Sequence, residues 1–304
     1  MNDSAMQDKI VDIVRPLAAN DLAHAPDKKT SQGASVQQIL ENGEVAYFPD
    51  LGFDISEAEQ DFLSPRWSNG KSKNINLRPQ SAQVRGAEGN SADMAALASM
   101  LERFARRSEQ MVDTLLPAYS GHWRRGGTSF RPVSIADRES SWHRDDTRLH
   151  VDSFPSNPTR GQRLLRVFCN VNPNGEPRRW RLGEPFPQFA RHFLPRTRAP
   201  LPGMASALHA LGITKQRRSH YDHLMLQLHD SVKADGDYQR NAPQQPFAFP
   251  SGATWMVFSD QVLHAAMAGQ YALETTFFIE PGALADEEKS PLRVLEKLKG
   301  RKLL

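Results

Sequence analysis

The most constraining feature of this chain is the way its strand-like runs are grouped. FRPVSIAD from Phe130, RLHVDSF, and RLLRVFCNVNP closing in the turn-forming Asn172-Pro173-Asn174-Gly175 come first. PFAF, ATWMVFSDQVLHAAM and ALETTFFIEP follow after a long gap. The gap, Glu176 to about Pro246, carries helical periodicity in PFPQFARHFL, MASALHALG and SHYDHLMLQLHDSV. Two strand groups separated by a helical insertion and preceded by helices predict a mainly β core with helical decoration (an α+β chain), built as a barrel or sandwich.

The remaining segments fit one domain over residues 1–304. Residues 1–120 read as a helical scaffold: Ser91 caps a helix on Met94, Leu97, Leu101, Phe104, Met111 and Leu115, and Pro117 ends it. Residues 121–281 form the β core with its insertion at 176–246. Residues 282–304 form a basic C-terminal helix. Leu292, Leu295, Leu298 and Leu303 fall near one face of that helix, which would either pack on the core or lie on an anionic membrane surface.

Composition narrows the function. The single cysteine, Cys169, excludes an internal disulfide and a cysteine-rich metal site, so any metal must be held by His and carboxylates. Neither a secretory signal nor an uninterrupted apolar span is present, and the expected location is the cytoplasm. Of 38 basic residues 27 are Arg, and between Gly121 and Pro200 there are 15 Arg, no Lys and 7 acids. Planar guanidinium groups bind carboxylates and phosphates in pairs of hydrogen bonds, so this bias reads either as a solvated basic face or as a site for an anionic ligand or surface; no nucleic-acid partner is expected.

Three His-x-Asp triplets compete for a metal. His220-Tyr-Asp222 has helical texture, where residues two apart diverge by about 200°, and is rejected. His143-Arg-Asp145 lies in a polar run that reads as a turn. His150-Val-Asp152 is flanked by the strand formers Leu149, Val151 and Phe154, and on a strand both side chains face one way. The pair is two-thirds of a 2-His-1-carboxylate triad, which leaves cis positions open on non-haem Fe(II). His264, in the late strand-like run, is the best third ligand.

His220, His223 and His229 share a predicted helix and read as a solvated face. Trp142, Trp180 and Trp255 read as core ahead of sugar platforms. Glu184 is assigned no role.

The order His150, Asp152, His264 is that of Fe(II)/2-oxoglutarate oxygenases. LHVDSFPSNPTRGQRLLRVFCNVNP, RRWRLGEPF, WMVFSDQVLHAAMAGQYALETTFFIEP, SPLRVLEKLKGR and KNINLRP resemble the Kdo 3-hydroxylases of Gram-negative bacteria. The resemblance implies a double-stranded β-helix (jelly-roll, cupin-like) enzyme that uses Fe(II), O₂ and 2-oxoglutarate. It also implies hydroxylation at C3 of Kdo carried on a lipid A precursor, with peripheral contact at the inner face of the cytoplasmic membrane. Many relatives anchor the distal carboxylate of 2-oxoglutarate with a basic residue about ten positions after the second histidine, but from Ala265 to Pro291 this chain has only Lys289. The asparaginyl-hydroxylase and Jumonji-like branch uses a basic residue about fourteen positions beyond the aspartate, with a hydroxyl just before the first histidine, which selects Arg166 assisted by Thr147. An arginine in mid-strand is costly to bury without a carboxylate partner, which favours a ligand role for Arg166. Arg163 and Arg160 are the further candidates, for the co-substrate or the anionic sugar. Other anionic substrates, and a barrel that binds glycolipid without turnover, stay open as alternatives.

Overall fold

The computed structural model describes residues 14–16, 35–79, 81, 83–136 and 141–304. In chain order the N-terminal part holds β1 (Val14–Pro16), α1 (Val36–Glu41), β2 (Val45–Phe48), β3 (Ile75–Leu77), β4 (Val84–Arg85) and α2 (Ser91–Leu115). Then come β5 (Trp123–Arg131), β6 (Arg163–Asn170) and β7 (Arg178–Gly183), followed by α3 (Phe186–Phe193), α4 (Met204–Ala210), α5 (His220–Ala234) and α6 (Gly236–Asn241). The chain ends through β8 (Gln244–Phe249), β9 (Thr254–Phe258), β10 (His264–Ala268), β11 (Ala272–Ile279) and α7 (Pro291–Lys299).

The larger sheet has the order β1-β2-β9-β6-β11-β5-β3-β4 and is antiparallel except where β1 runs beside β2. The smaller sheet, β10-β7-β8, is antiparallel throughout. Alternation along β6 explains how the sheets pack. Leu165 and Val167 point outward with Met256, Phe258, Phe277 and Ile279, under the apolar faces of α1 and the end of α2. Phe168 points inward with Trp255, where Trp180 and Phe249 of the smaller sheet meet them. Trp255 is stacked between Phe168 and Phe249 at ring separations of 5.2 and 4.0 Å. This aromatic wall closes part of the space between the sheets and leaves the rest for a cavity.

Helix α2 forms where the apolar spacing predicts, with Leu97, Leu101, Phe104 and Met111 buried. Its cap is Asn90 in place of Ser91: the Asn90 side chain accepts from the Ala92 and Asp93 amides, and Asp93 accepts from the Asn90 amide. Among the described residues of the first 120 there is less helix than the periodicity suggests, since β2 pairs with β9 and β3 with β5, extending the larger sheet at both ends. The insertion also begins later than expected. Arg178–Gly183 is a strand of the smaller sheet, because Trp180 and Leu182 alternate with arginines as a half-buried strand requires.

At the C-terminus, Leu292, Leu295 and Leu303 are buried among Phe189, Phe193, Leu224 and Leu228 of α3 and α5. Of the two readings of that helix, packing on the protein accounts for its leucines. No helix among the described residues is long and apolar enough to cross a membrane.

Candidate active site

His150, Asp152 and His264 come together between the two sheets. One ligand atom from each lies within 4.8 Å of the others, and His150 Nε2 is 3.8 Å from Asp152 Oδ1. The convergence is built by backbone pairing. His150 and His264 exchange both main-chain hydrogen bonds at 2.9 Å, and the Asp152 amide donates to Ser259 O at 2.8 Å. Residues 149–152 are not a strand of their own, as the flanking residues had suggested, but one bridge beside β10. The side chain of Gln239 in α6 replaces the missing neighbour, accepting from the Leu149 amide at 2.7 Å and donating to its carbonyl at 3.0 Å. His-x-Asp still faces one way, because the local chain is extended. Gly183 lets the turn before His264 lie against β7: a Cβ there would sit 2.4 Å from Leu263 Cδ2.

The donor set fits a divalent transition metal. His150 Nδ1 is 2.7 Å from Arg148 O and His264 Nδ1 is 2.8 Å from Val262 O. A carbonyl can only accept, so each Nδ1 carries the proton and each Nε2 keeps its lone pair for a metal. Burial lowers the pKa of both imidazoles and keeps them neutral at pH 7. Burial alone would raise the Asp152 carboxyl, but opposing positive charge, that of Arg166 foremost, holds the group below the usual carboxylate range. Two neutral nitrogens and one carboxylate on one side of an ion suit Fe(II) with positions left open.

A network of buried charge surrounds this set. Arg166 Nε approaches Asp152 Oδ2 to 2.8 Å, and its Nη1 donates to Glu274 Oε1 at 2.5 Å. The Arg166–Asp152 contact lacks hydrogen-bond alignment, so both atoms retain bonding capacity toward a bound group. Glu274, on β11, is shared with Arg131 of β5, whose other guanidinium nitrogen lies 3.7 Å from Asp146. Lys73 in turn pairs with Asp146. The mid-strand arginine therefore has its carboxylate partners, Glu274 and Asp152, and the reasoning from an unpartnered Arg166 does not hold. Sequence reading missed Glu274 because pairing across β6 and β11 is not visible in one dimension.

The structure brings Arg166 to the cavity with the triad, but not the other three basic or hydroxyl candidates. The Thr147 hydroxyl donates to Asp145 Oδ1 at 2.7 Å in a local Asx turn. Arg163 lies on the opposite face of β6 and is only 1% exposed. Its Nε donates to Asp260 at 2.8 Å and its Nη2 to Gln261 at 2.6 Å. Arg160 is exposed on a turn, where its amide donates to Asp222. Arg163→Lys keeps the charge but loses the planar double contact; we expect it to cost about 2 kcal/mol in thermal or urea unfolding. The 2-oxoglutarate requirement of the folded enzyme should not change.

Other residues enter the site from elements read as surface or core. The cavity, about 450 Å³, is also lined by Phe154, Phe168, Arg178, Trp180, His229 and Lys233. Trp180 stacks on His264 at 5.1 Å, which makes it a support for a ligand imidazole. His229, assigned from sequence to a solvated helix face, lies edge-on to His150 at 5.5 Å and 2.9 Å from Asp230. Asp230 is also 3.6 Å from His143, the histidine of the triplet that reads as a turn, at the cavity mouth. Glu184 accepts from the Tyr238 hydroxyl at 2.5 Å, fixing α6 beneath the site.

Two imidazoles and one carboxylate, converging between antiparallel sheets beside a cation-lined cavity, define the site of a non-haem Fe(II)/2-oxoglutarate-dependent dioxygenase. The family model for 3-deoxy-D-manno-oct-2-ulosonic acid (Kdo) hydroxylase matches residues 23–302. The Kdo hydroxylase KdoO, a non-haem Fe(II) α-ketoglutarate-dependent dioxygenase solved with α-ketoglutarate and Fe(III), is 45% identical with a TM-score of 0.89. That match covers 96% of this chain and 97% of the other. A Kdo hydroxylase KdoO solved with cobalt(II) gives 46% identity and a TM-score of 0.90 over 95% and 97% of the two chains. A Kdo hydroxylase KdoO in complex with succinate and Fe(III) gives 46% and 0.89 over the same shares. No curated protein sequence matches the chain. The chain belongs to the Kdo hydroxylase family.

Proposed function

We propose that this protein hydroxylates C3 of Kdo carried on a lipid A precursor, as a single catalytic domain. The observation that carries the reading is the buried cluster of His150, Asp152 and His264 opening on a cavity lined with cations. The order β5-β11-β6-β9 packed against β10-β7-β8 supports a double-stranded β-helix of the cupin type. When bound at the triad, Fe(II) with O₂ and 2-oxoglutarate supplies an oxidative decarboxylation that yields succinate, CO₂ and one oxygen atom for the C3–H bond.

The protein's own groups hold and orient. His150 and His264 offer Nε2, and Asp152 offers Oδ1 while Oδ2 stays turned to Arg166. Arg166 has five N–H donors, of which one is hydrogen-bonded to Glu274, and those not held by its carboxylate neighbours serve the distal carboxylate of 2-oxoglutarate. Phe154, Phe168 and Trp180 limit water around the reacting centre. Lys73 and Arg144, with Lys233 buried in the cavity wall, give the field that draws in the Kdo carboxylate.

The test is mass spectrometry of lipopolysaccharide from a host lacking the activity, with and without this gene. A gain of one oxygen atom on Kdo is expected, and unchanged Kdo would refute the assignment. We further expect Arg166→Ala to raise the 2-oxoglutarate requirement by about 30-fold or more. The glycolipid requirement should move much less; the opposite pattern would shift Arg166 to the sugar.

A further inference from the structure

Apolar exposure in this protein is concentrated in one place. Among the described residues the large exposed hydrophobic side chains are Trp142, Leu201, Met204, Leu211, Ile213 and Leu304, and four of these six lie between 201 and 213. Leu201, Met204, Leu211 and Ile213 are 66, 44, 74 and 53% exposed. Helix α4, in the middle of this arm, contributes no buried residue. Nothing in the core calls for these side chains, and a soluble surface disfavours such a group.

The charge around the arm has one sign. From Pro185 to Tyr221 there are six cations, Arg191, Arg196, Arg198, Lys215, Arg217 and Arg218, and no acid. The acids that bound this stretch are both turned inward: Glu184 is buried against Tyr238, and Asp222 is buried as the partner of Ser219 and the Thr159 amide. Arg196 is engaged by Asp235. Among the described residues no carboxylate forms an ion pair with Arg198, Lys215 or Arg217.

The arm is also fixed to the active-site rim. On its outgoing side the Arg198 amide donates to Gln227 Oε1 and the Arg198 carbonyl accepts from Gln227 Nε2, each at 2.7 Å. On its return side the Lys215 amide donates to Ser156 O at 2.9 Å, and the Arg218 guanidinium donates to Pro155 O at 2.5 Å. Pro155 lines the catalytic cavity.

We infer that the arm from Arg198 to Arg218 docks the enzyme on an anionic lipid bilayer, seating the cavity mouth at the membrane surface. Leucine, isoleucine and methionine side chains enter the boundary of the acyl chains while arginine and lysine meet lipid phosphates, a pairing that a bilayer satisfies and water does not. Two copies meeting arm to arm would oppose like charges, which disfavours self-association through this face. The inference rests on the reading that the acceptor is lipid-linked, and it moves the membrane contact from the C-terminal helix, where Leu292 and Leu295 are buried and Leu298 packs partly buried against the same cluster, to the insertion.

The test compares the full-length protein with the Leu201→Ser, Leu211→Ser, Ile213→Ser triple variant in sedimentation with vesicles of phosphatidylethanolamine and phosphatidylglycerol, and with phosphatidylcholine vesicles. All three positions are more than half exposed, so unfolding temperature should be unchanged. The parent should bind the anionic vesicles in a salt-sensitive way, and the variant on the order of 10-fold or more weakly. The variant should retain succinate formation on a detergent-dispersed Kdo acceptor and lose it on the same acceptor in vesicles. Equal vesicle binding by both proteins, or none by the parent, would overturn the inference. So would a parent dimer that the variant lacks, which would assign the arm to a second copy. A parent that binds vesicles but forms no succinate on any Kdo acceptor leaves docking in place and removes the proposed activity instead.

Discussion

Replacing His150, Asp152 or His264 with Ala should abolish succinate formation and metal binding together while leaving the fold intact. Loss of an outer-shell partner of a metal ligand typically costs roughly 10- to 100-fold, and removal of a ligand itself must exceed that. Cobalt(II) titration followed by its visible absorption reads the metal site without depending on turnover, and far-ultraviolet circular dichroism reads the fold. Each imidazole is held by one side-chain hydrogen bond to a backbone carbonyl, so its truncation leaves the paired backbone of His150 and His264 in place. His143→Ala is the contrasting variant: it lines the mouth, 3.6 Å from Asp230, and should bind cobalt normally. Retained cobalt binding in His264→Ala, with loss in His143→Ala, would refute the ligand set.

The sequence carries the triad because its geometry is local in one part and ordered in the other. His150 and Asp152 are two apart in an extended segment, and His264 lies in a strand-like run where its nearest neighbours, Val262, Leu263, Ala265 and Ala266, are apolar. Helices α2, α3, α4 and α5 are legible from spacing for the same reason: the pattern of each is complete within its own length. What resists such reading is pairing between distant segments. β2 and β3 are short, and only the edges offered by β9 and β5 make them strands. Arg163 and Arg166 look alike in RLLRVFCN, yet three positions put them on opposite faces, one against Asp260 and one against Asp152. Thr147 sits at the right distance from His150, but Asp145, two residues earlier, takes its hydroxyl. Local competition of this kind is decided by side-chain direction, which spacing alone does not give.

The second large effect is expected at Glu274, which forms no hydrogen bond or ion pair with His150, Asp152 or His264. Glu274 is buried between Arg166 and Arg131, and although burial would raise its pKa, the two guanidinium groups outweigh this and keep it ionised. Glu274→Ala would leave two buried cations sharing the remaining carboxylates, Asp152 and Asp146. Breaking one side of a buried ionic cluster costs about 3–5 kcal/mol, because the abandoned charge keeps its desolvation penalty. Thermal unfolding should therefore fall on the order of 10 °C. The same change should weaken cobalt(II) binding, because Arg166, released from Glu274, is free to draw Asp152 away from the histidines. Glu274→Gln retains the shape and one hydrogen-bond acceptor, and should lie between parent and Glu274→Ala in both measurements. Replacing Arg166 and Glu274 together with Met removes both charges, so stability should recover toward the parent while metal and 2-oxoglutarate binding stay impaired. That split separates a structural ion pair from a device that orients Asp152. If the double variant regained cobalt affinity along with stability, Arg166 and Glu274 would be serving the fold alone.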